Sequence, residues 1–339
     1  VTGRLVKWIR DLALLVLLLA GVSFLSLSLG PSGISPAEIL RLAFKEGAEG
    51  SAATILFDIR LPRVVLAFAV GGGLSVAGVI LQGMFRNPLV EPYTLGISGG
   101  AALGVALSTV LGLTGLFGVY SLPVAGFAGA FGVILFLYFM ASHRGILSMQ
   151  GLLLTGVMIS FIASSTVLLI MSVARVEELH GILFWIIGSL GETDWFLVKL
   201  ALVIALACLV VSYLFCFDLN AMSLGEEDAH HLGVNVEKTK QRLFVLASVL
   251  TGVCVSLTGA IGFVGLVVPH FVRMLVGTDH RILLVSSFLS GAIFLIFCDA
   301  IAKTIALPLE LPVGVVTGML GGGLFVYVLA RRAYVRGKR

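Results

Sequence analysis

Residues 92–142 read PYTLGISGGAALGVALSTVLGLTGLFGVYSLPVAGFAGAFGVILFLYFMAS, and from Pro92 to His143 the chain holds no Asp, Glu, Lys or Arg. A helix crosses a hydrocarbon core with about 20 apolar residues. This stretch therefore has room for two spans, with a turn near Gly112–Ser121. Working outward, the gaps between charges from Asp11 to Glu38, Arg63 to Arg86, Arg144 to Arg175, Lys199 to Asp218, Arg281 to Asp299 and Glu310 to Arg331 each hold one more. The run from Leu243 to Val272 contains Gly259, Gly262, Gly265 and Pro269. It predicts one full span and a second that ends near Arg273. The expectation is an all-α, polytopic membrane protein with ten transmembrane helices in a single domain over residues 1–339.

Composition points the same way. Of the 339 residues 59% are hydrophobic and 12% charged, with a mean hydropathy of +1.12. Soluble proteins hold about 45–50% apolar and about 25% charged residues. Disorder needs low hydrophobicity and high charge, and a soluble enzyme or a nucleic-acid binder does not fit this balance. The 41 glycines suit helices whose backbones approach closely. Cys208, Cys216, Cys254 and Cys298 are scattered through apolar runs without C-x-x-C spacing. They read as small packing residues, and no metal site is expected.

Lys and Arg collect on the cytoplasmic side of membrane proteins. With a cytoplasmic N-terminus, the inside segments hold Arg4, Lys7, Arg10, Arg86, Arg144, Lys238, Lys240, Arg242, Arg273, Arg281, Arg331, Arg332, Arg336, Lys338 and Arg339, which is 15 of the 22 basic residues. An even span number then places both termini in the cytoplasm. Arg4, Lys7 and Arg10 before a leucine-rich run resemble a signal peptide. Leu12–Leu29 is long for that role and no A-x-A site follows, so it reads as a retained first span.

Two pieces outside the spans carry structure. Ser35-Pro36-Ala37-Glu38 has the capping-box pattern and predicts a short outer-surface helix over 35–46, with Ile39, Leu40, Ala43 and Phe44 on one face. The segment Asp218–Glu237 predicts a charged helical hairpin. A first helix stops at Gly225, Ser223-Leu224-Gly225-Glu226 caps a second, and that one ends at Gly233. The hairpin is too elaborate for a simple connection and reads as a docking surface for a cytoplasmic partner.

Several chemistries are missing. No G-x-x-x-x-G-K-[ST], H-E-x-x-H or G-x-S-x-G is present. The neighbours His230 and His231 point about 100° apart on a helix, a poor metal pair. His270 follows Pro269 and reads as a structural histidine. Ionisable residues inside the spans are sparse, with Asp299 and Glu310 near outer ends, which argues against a self-powered pump. The sequence points to a membrane pathway driven by another chain. The alternatives are a self-standing secondary transporter and an intramembrane enzyme.

Residues 57–104 contain Phe57-Asp58-Ile59-Arg60-Leu61-Pro62-Arg63, Gly71-Gly72-Gly73, the run from Gln82-Gly83-Met84-Phe85-Arg86-Asn87-Pro88-Leu89-Val90-Glu91 to Pro92, and Leu95-Gly96-Ile97-Ser98-Gly99-Gly100-Ala101. Further on stand Ser223-Leu224-Gly225, Leu232-Gly233-Val234, the segment from Gly262 to Arg273, and Glu310-Leu311-Pro312-Val313-Gly314. This pattern resembles the FecCD-type permeases, the membrane subunits of type II ABC importers for ferric siderophores, haem and cobalamin. The resemblance covers nearly the whole chain.

What it implies is a homodimer in the cytoplasmic (inner) membrane with the pathway on its two-fold axis. Two cytoplasmic ABC ATPases bind ATP and Mg on one side, and a periplasmic or lipoprotein substrate-binding protein docks on the other. This chain would hold no cofactor, and its cargo would be a metal chelate, with an oxyanion as the alternative within the family. By the resemblance, Arg60, Arg63 and Lys303 meet acidic residues of the binding protein, Lys303 standing where the family has an arginine. Asn87 and Leu89 form one inner gate, and Ser148 with Met149 a second. Ser223, Leu224, Gly225, Glu226, Glu227, His230, Leu232 and Gly233 couple to the ATPase. At Gly323 the sequence departs from the family, which commonly has Pro there. The spacing from Leu61-Pro62 to Gly71-Gly72-Gly73 recurs from Leu311-Pro312 to Gly321-Gly322-Gly323 and suggests close helix packing.

Overall fold

The computed structural model describes residues 2–30, 33–44, 50–115, 118–142, 149–307 and 309–336. Regular structure among them is entirely helical. The helices are α1 (Thr2–Ser28), α2 (Pro36–Phe44), α3 (Ser51–Thr54), α4 (Leu61–Phe85), α5 (Ile97–Val110), α6 (Ser121–Ser142), α7 (Met149–Val173), α8 (Val176–Ile187), α9 (Trp195–Leu214), α10 (Cys216–Leu224), α11 (Glu226–His231), α12 (Val236–Thr258), α13 (Val264–Val276), α14 (His280–Thr304) and α15 (Val313–Arg336). Seven described helical stretches are long and apolar enough to cross a membrane, and Ile97–Val110, Val264–Val276 and Val313–Val328 are shorter apolar helices.

One helix organises the bundle. From Ser51 to Phe85 the chain is continuously helical, and 89% of the most apolar part of this stretch is buried, against 6% for α1. Pro62 does not break it. Proline lacks an N–H and crowds the preceding turn, and Ile55–Arg60 widen into a π-helical turn just before it. Around α4 pack α9, α12, α13 and α14. Contact is backbone to backbone where glycines meet. A Cβ on Gly71 would lie 2.4 Å from the carbonyl oxygen of Gly291 in α14, and one on Gly78 would lie 1.9 Å from that of Gly265 in α13.

The second glycine triplet packs differently. A Cβ on Gly321 would meet the Cβ of Phe263 at 2.5 Å, whereas Gly323 has open space around it. Phe263 itself holds a left-handed φ of 68°, uncommon for a residue with a bulky side chain. Repeated spacing in the sequence is therefore not repeated packing.

The predicted surface helix is present as α2. The Glu38 backbone N–H donates to Ser35 Oγ at 3.2 Å. Its face divides: Ile39 is buried with Ile34 and Leu56, while Leu40 is half exposed. Residues 45 and 46 of the expected span lie outside the described residues. Helix α8 has no counterpart in the sequence reading. It ends at Gly188, and the Ser189 N–H donates to the Thr258 carbonyl at 2.8 Å. A Cβ on Gly314 would lie 2.1 Å from the Ile187 carbonyl oxygen, so α8 ends against the start of α15.

Candidate functional site

Three groups of residues stand along α4 and its neighbours. At the end away from the 218–237 hairpin, four ionisable side chains form one neutral cluster. Arg63 donates from Nε to Asp299 Oδ1 at 2.8 Å and from Nη1 to Glu310 Oε2 at 2.6 Å. Lys303 Nζ forms an ion pair with Asp299 Oδ2 at 2.6 Å and donates to Ser26 Oγ at 3.4 Å. The side chain of Asp299 is 1% exposed and that of Lys303 4%, whereas Glu310 is 41% exposed. Arg60 is buried and donates from Nη1 to the Leu27 carbonyl at 2.6 Å. The cluster ties α1, α4 and α14 together. All three cations expected to meet a partner are thus engaged within the chain. The spacing of Asp299 and Lys303, four residues apart on a helix, carried the signal for one of these pairs.

At the other end of α4 the chain turns at Arg86, which adopts a left-handed φ of 49°. Asn87 then accepts at Oδ1 from the Leu89 N–H at 3.0 Å, an Asx-type turn. Asn87 and Leu89 are both exposed. Of the second expected gate, Ser148 and the side-chain surroundings of Met149 lie outside the described residues. Sequence reasoning missed the polar residues just beyond the Asn87 turn. Glu91 Oε1 accepts from the Phe263 N–H, and Tyr93 Oη accepts from the Ile261 N–H, each at 2.9 Å. These two side chains bind the turn after α4 to the loop between α12 and α13. Gln82 adds to this link: its Nε2 donates to the Gly265 and Leu266 carbonyls, and its Oε1 accepts from Arg273 Nη1 at 3.2 Å. A Glu and a Tyr flanking a Pro in an otherwise apolar run were the available signal.

The third group is the hairpin. Helix α10 stops at Gly225 and α11 ends before Gly233, which has φ 88°. Ser223 does not cap α11, as the sequence suggested. Its hydroxyl donates back to the Asn220 carbonyl at 2.6 Å, because the residue still lies inside α10, and Gly225 occupies the N-cap without a side-chain bond. Leu219, Met222 and Ala229 are buried, whereas Ser223, Leu224, Glu227, His230, Leu232 and Gly233 are exposed. Glu226 pairs with Lys240 at 2.6 Å, holding α11 on α12.

Asn220 connects this hairpin to the bundle. Its Nδ2 donates to Asp279 Oδ1 at 3.1 Å, and its Oδ1 accepts from the His280 N–H at 2.9 Å. Both partners begin α14. Asp279 also caps that helix, accepting from the Arg281 N–H, and the Arg281 guanidinium with Asn220 behind it holds its carboxyl below the usual carboxylate range. A hydrogen-bonded amide thus joins a surface hairpin to the helix packed most closely on α4.

A membrane bundle with an exposed hairpin at one end and no ATP-binding motif is the form of a subunit energised from outside. The family model described as the FecCD transport family matches residues 16–331. The chain belongs to the FecCD transport family. It is 40% identical over 319 residues to the Fe(3+) dicitrate transport system permease protein FecD of Escherichia coli, covering 94% of this chain and 97% of that protein. It is 41% identical over 280 residues to the hemin transport system permease protein HmuU of Yersinia pestis, covering 82% and 84%. A solved structure of a metal-chelate type ABC transporter in an inward-facing conformation superposes with a TM-score of 0.84 at 31% identity, covering 95% of this chain and 99% of that one. This FecCD protein is therefore a multi-pass permease subunit of an ABC importer and not an enzyme. ATP hydrolysis belongs to a separate subunit.

Proposed function

We propose that this FecCD permease carries a metal chelate across the inner membrane along the axis between two copies of itself. The observation that carries the substrate class is the likeness over nearly full length to permeases named for ferric dicitrate and hemin. The seven long and three shorter apolar helices support a count of ten spans, with both termini cytoplasmic as the basic residues suggest. The 218–237 hairpin then faces two ATPases, which bind ATP and Mg. Ser223, Leu224, Gly225, Glu226, Glu227, His230, Leu232 and Gly233 make or hold that contact, and Asn220 passes its displacement to α14. Asn87 and Leu89 narrow the pathway from the same side, and Ser148 with Met149 are assigned to a second inner constriction by family resemblance.

The substrate-binding protein docks at the Arg63 end by carboxylate exchange. Glu310 is the exposed member of the cluster, so an acidic side chain of the partner replaces it on Arg63, with Arg60 beside it. Lys303 keeps Asp299 in place from below. Bidentate arginine–carboxylate geometry favours Arg63 over a lysine for this exchange.

The test is reconstitution in proteoliposomes with the partner ATPase and binding protein. Binding protein loaded with ferric citrate, haem or cobalamin is expected to stimulate both ATP hydrolysis and uptake. Uptake of an oxyanion, with none of the chelates transported, would replace the substrate class while leaving the importer intact.

A further inference from the structure

A cavity of about 690 Å³ opens between the hairpin-side ends of α6, α9 and α12. Its walls belong to none of the three groups described above. Helix α12 supplies one face at helical spacing: Lys238, Gln241 and Arg242 in its first turns, then Val245, Leu246 and Val249 deeper along the same stripe. Residues three and four apart share a helix face, so this stripe is cationic at its end and aliphatic below. Tyr138 from α6 and Phe215, just after α9, close the sides.

The charges here are not consumed by the chain. Lys240, between the two cations in sequence, faces the other way and pairs with Glu226. Lys238 and Arg242 are exposed, and among the described residues neither side chain has an ion-pair partner. The N-terminus of a 23-residue helix adds partial positive charge at the same level. Val211 from α9 adds an aliphatic, partly exposed wall to the cavity. Together with Val245, Leu246 and Val249 it gives the cavity an aliphatic depth that suits an acyl chain.

We propose that this cavity is a binding site for one anionic phospholipid of the leaflet on the hairpin side. The headgroup phosphate sits between Lys238 and Arg242, with Gln241 and Tyr138 as neutral hydrogen-bonding groups. One acyl chain runs down the Val245–Val249 stripe. A free phosphate would use the cations and leave the aliphatic depth of the cavity unoccupied. A zwitterionic lipid would fill the depth and bring an ammonium to a site with unpaired cations. Juxtamembrane Lys and Arg attract anionic headgroups strongly enough for two of them to matter, at about fivefold each.

The test uses the full-length permease in detergent, titrated with phosphatidylglycerol, with phosphatidylcholine of the same chains, and with inorganic phosphate, read by native mass spectrometry. One phosphatidylglycerol per chain is expected to be retained, at least roughly tenfold more tightly than phosphatidylcholine. Lys238→Ala with Arg242→Ala is expected to weaken phosphatidylglycerol by roughly tenfold or more. The charge-keeping pair Lys238→Arg with Arg242→Lys is expected to restore it. Val249→Trp, which keeps both charges and fills the depth, is expected to weaken it as well. Unchanged retention in the double alanine variant or in Val249→Trp would overturn the site. So would displacement by inorganic phosphate at lipid-like concentrations, which would mark a free-anion site. Release of the lipid on adding the partner ATPase would assign the cavity to that protein interface instead.

Discussion

The two ends of α4 handle polar groups in opposite ways. At the Arg63 end, two cations and two carboxylates close on one another, and Arg60 turns inward to a carbonyl. At the hairpin end, Asn87, Leu89, Leu224 and Leu232 stand exposed, although the helices that present them are anchored by buried residues. One end is satisfied largely by its own chain, and the other leaves side chains open to solvent. The difference teaches where change enters. An ion cluster in low dielectric resists rearrangement because each lost partner leaves an unpaired charge. The polar ties of the hairpin, a few hydrogen bonds and one ion pair beside its buried apolar anchors, rearrange at far lower cost.

Substitutions can break this contrast. Asp299→Ala should have the largest effect, since it leaves Arg63 and Lys303 without their shared buried carboxylate. A loss of about 3–5 kcal/mol is expected, read as a fall in the thermal unfolding midpoint of the purified permease. A shift no larger than that of an exposed-residue variant would show that the cluster braces nothing. Asn220→Ala comes next. Removing its bonds into α14 should cost about 1–3 kcal/mol locally. In the reconstituted importer ATP hydrolysis should persist while chelate uptake per ATP falls several-fold. An unchanged ratio would remove Asn220 from the coupling path. Glu310→Ala should be mildest, within about 1 kcal/mol in stability because its carboxylate is half in water. It should nonetheless tighten the binding protein a few-fold by releasing Arg63, and unaltered affinity would exclude the carboxylate exchange.

Much of this was legible from residues alone. Charge-free runs located the apolar helices, and Gly225 and Gly233 marked the ends of the hairpin's helices. These features depend on local chemistry: hydrophobic length, and backbone freedom at a left-handed or otherwise rare φ. What escaped depends on contacts distant in sequence. Arg63 and Glu310 are 247 residues apart. Glu91 and Tyr93 find their donors in a loop 172 and 168 residues away. The two glycine triplets show the limit clearly. Gly71 is required because Gly291 faces it, while Gly323 faces open space, and no property of either triplet reveals which neighbour will arrive. Helix α8 escaped because twelve residues are too few to read as a span.

The unbroken helix from Ser51 to Phe85 has 35 residues. At 1.5 Å per residue it is a rod of about 52 Å, longer than a hydrocarbon core of about 30 Å. A rod pinned at one end magnifies rotation into travel at the other. With the Arg63 cluster as pivot, the 25 residues of α4 form an arm of about 37 Å. A tilt of about 6° would then sweep Phe85 and the turn at Asn87 sideways by about 4 Å. On this geometry a displacement smaller than one helical turn at the hairpin end would carry the Asn87 turn with it without any helix unwinding.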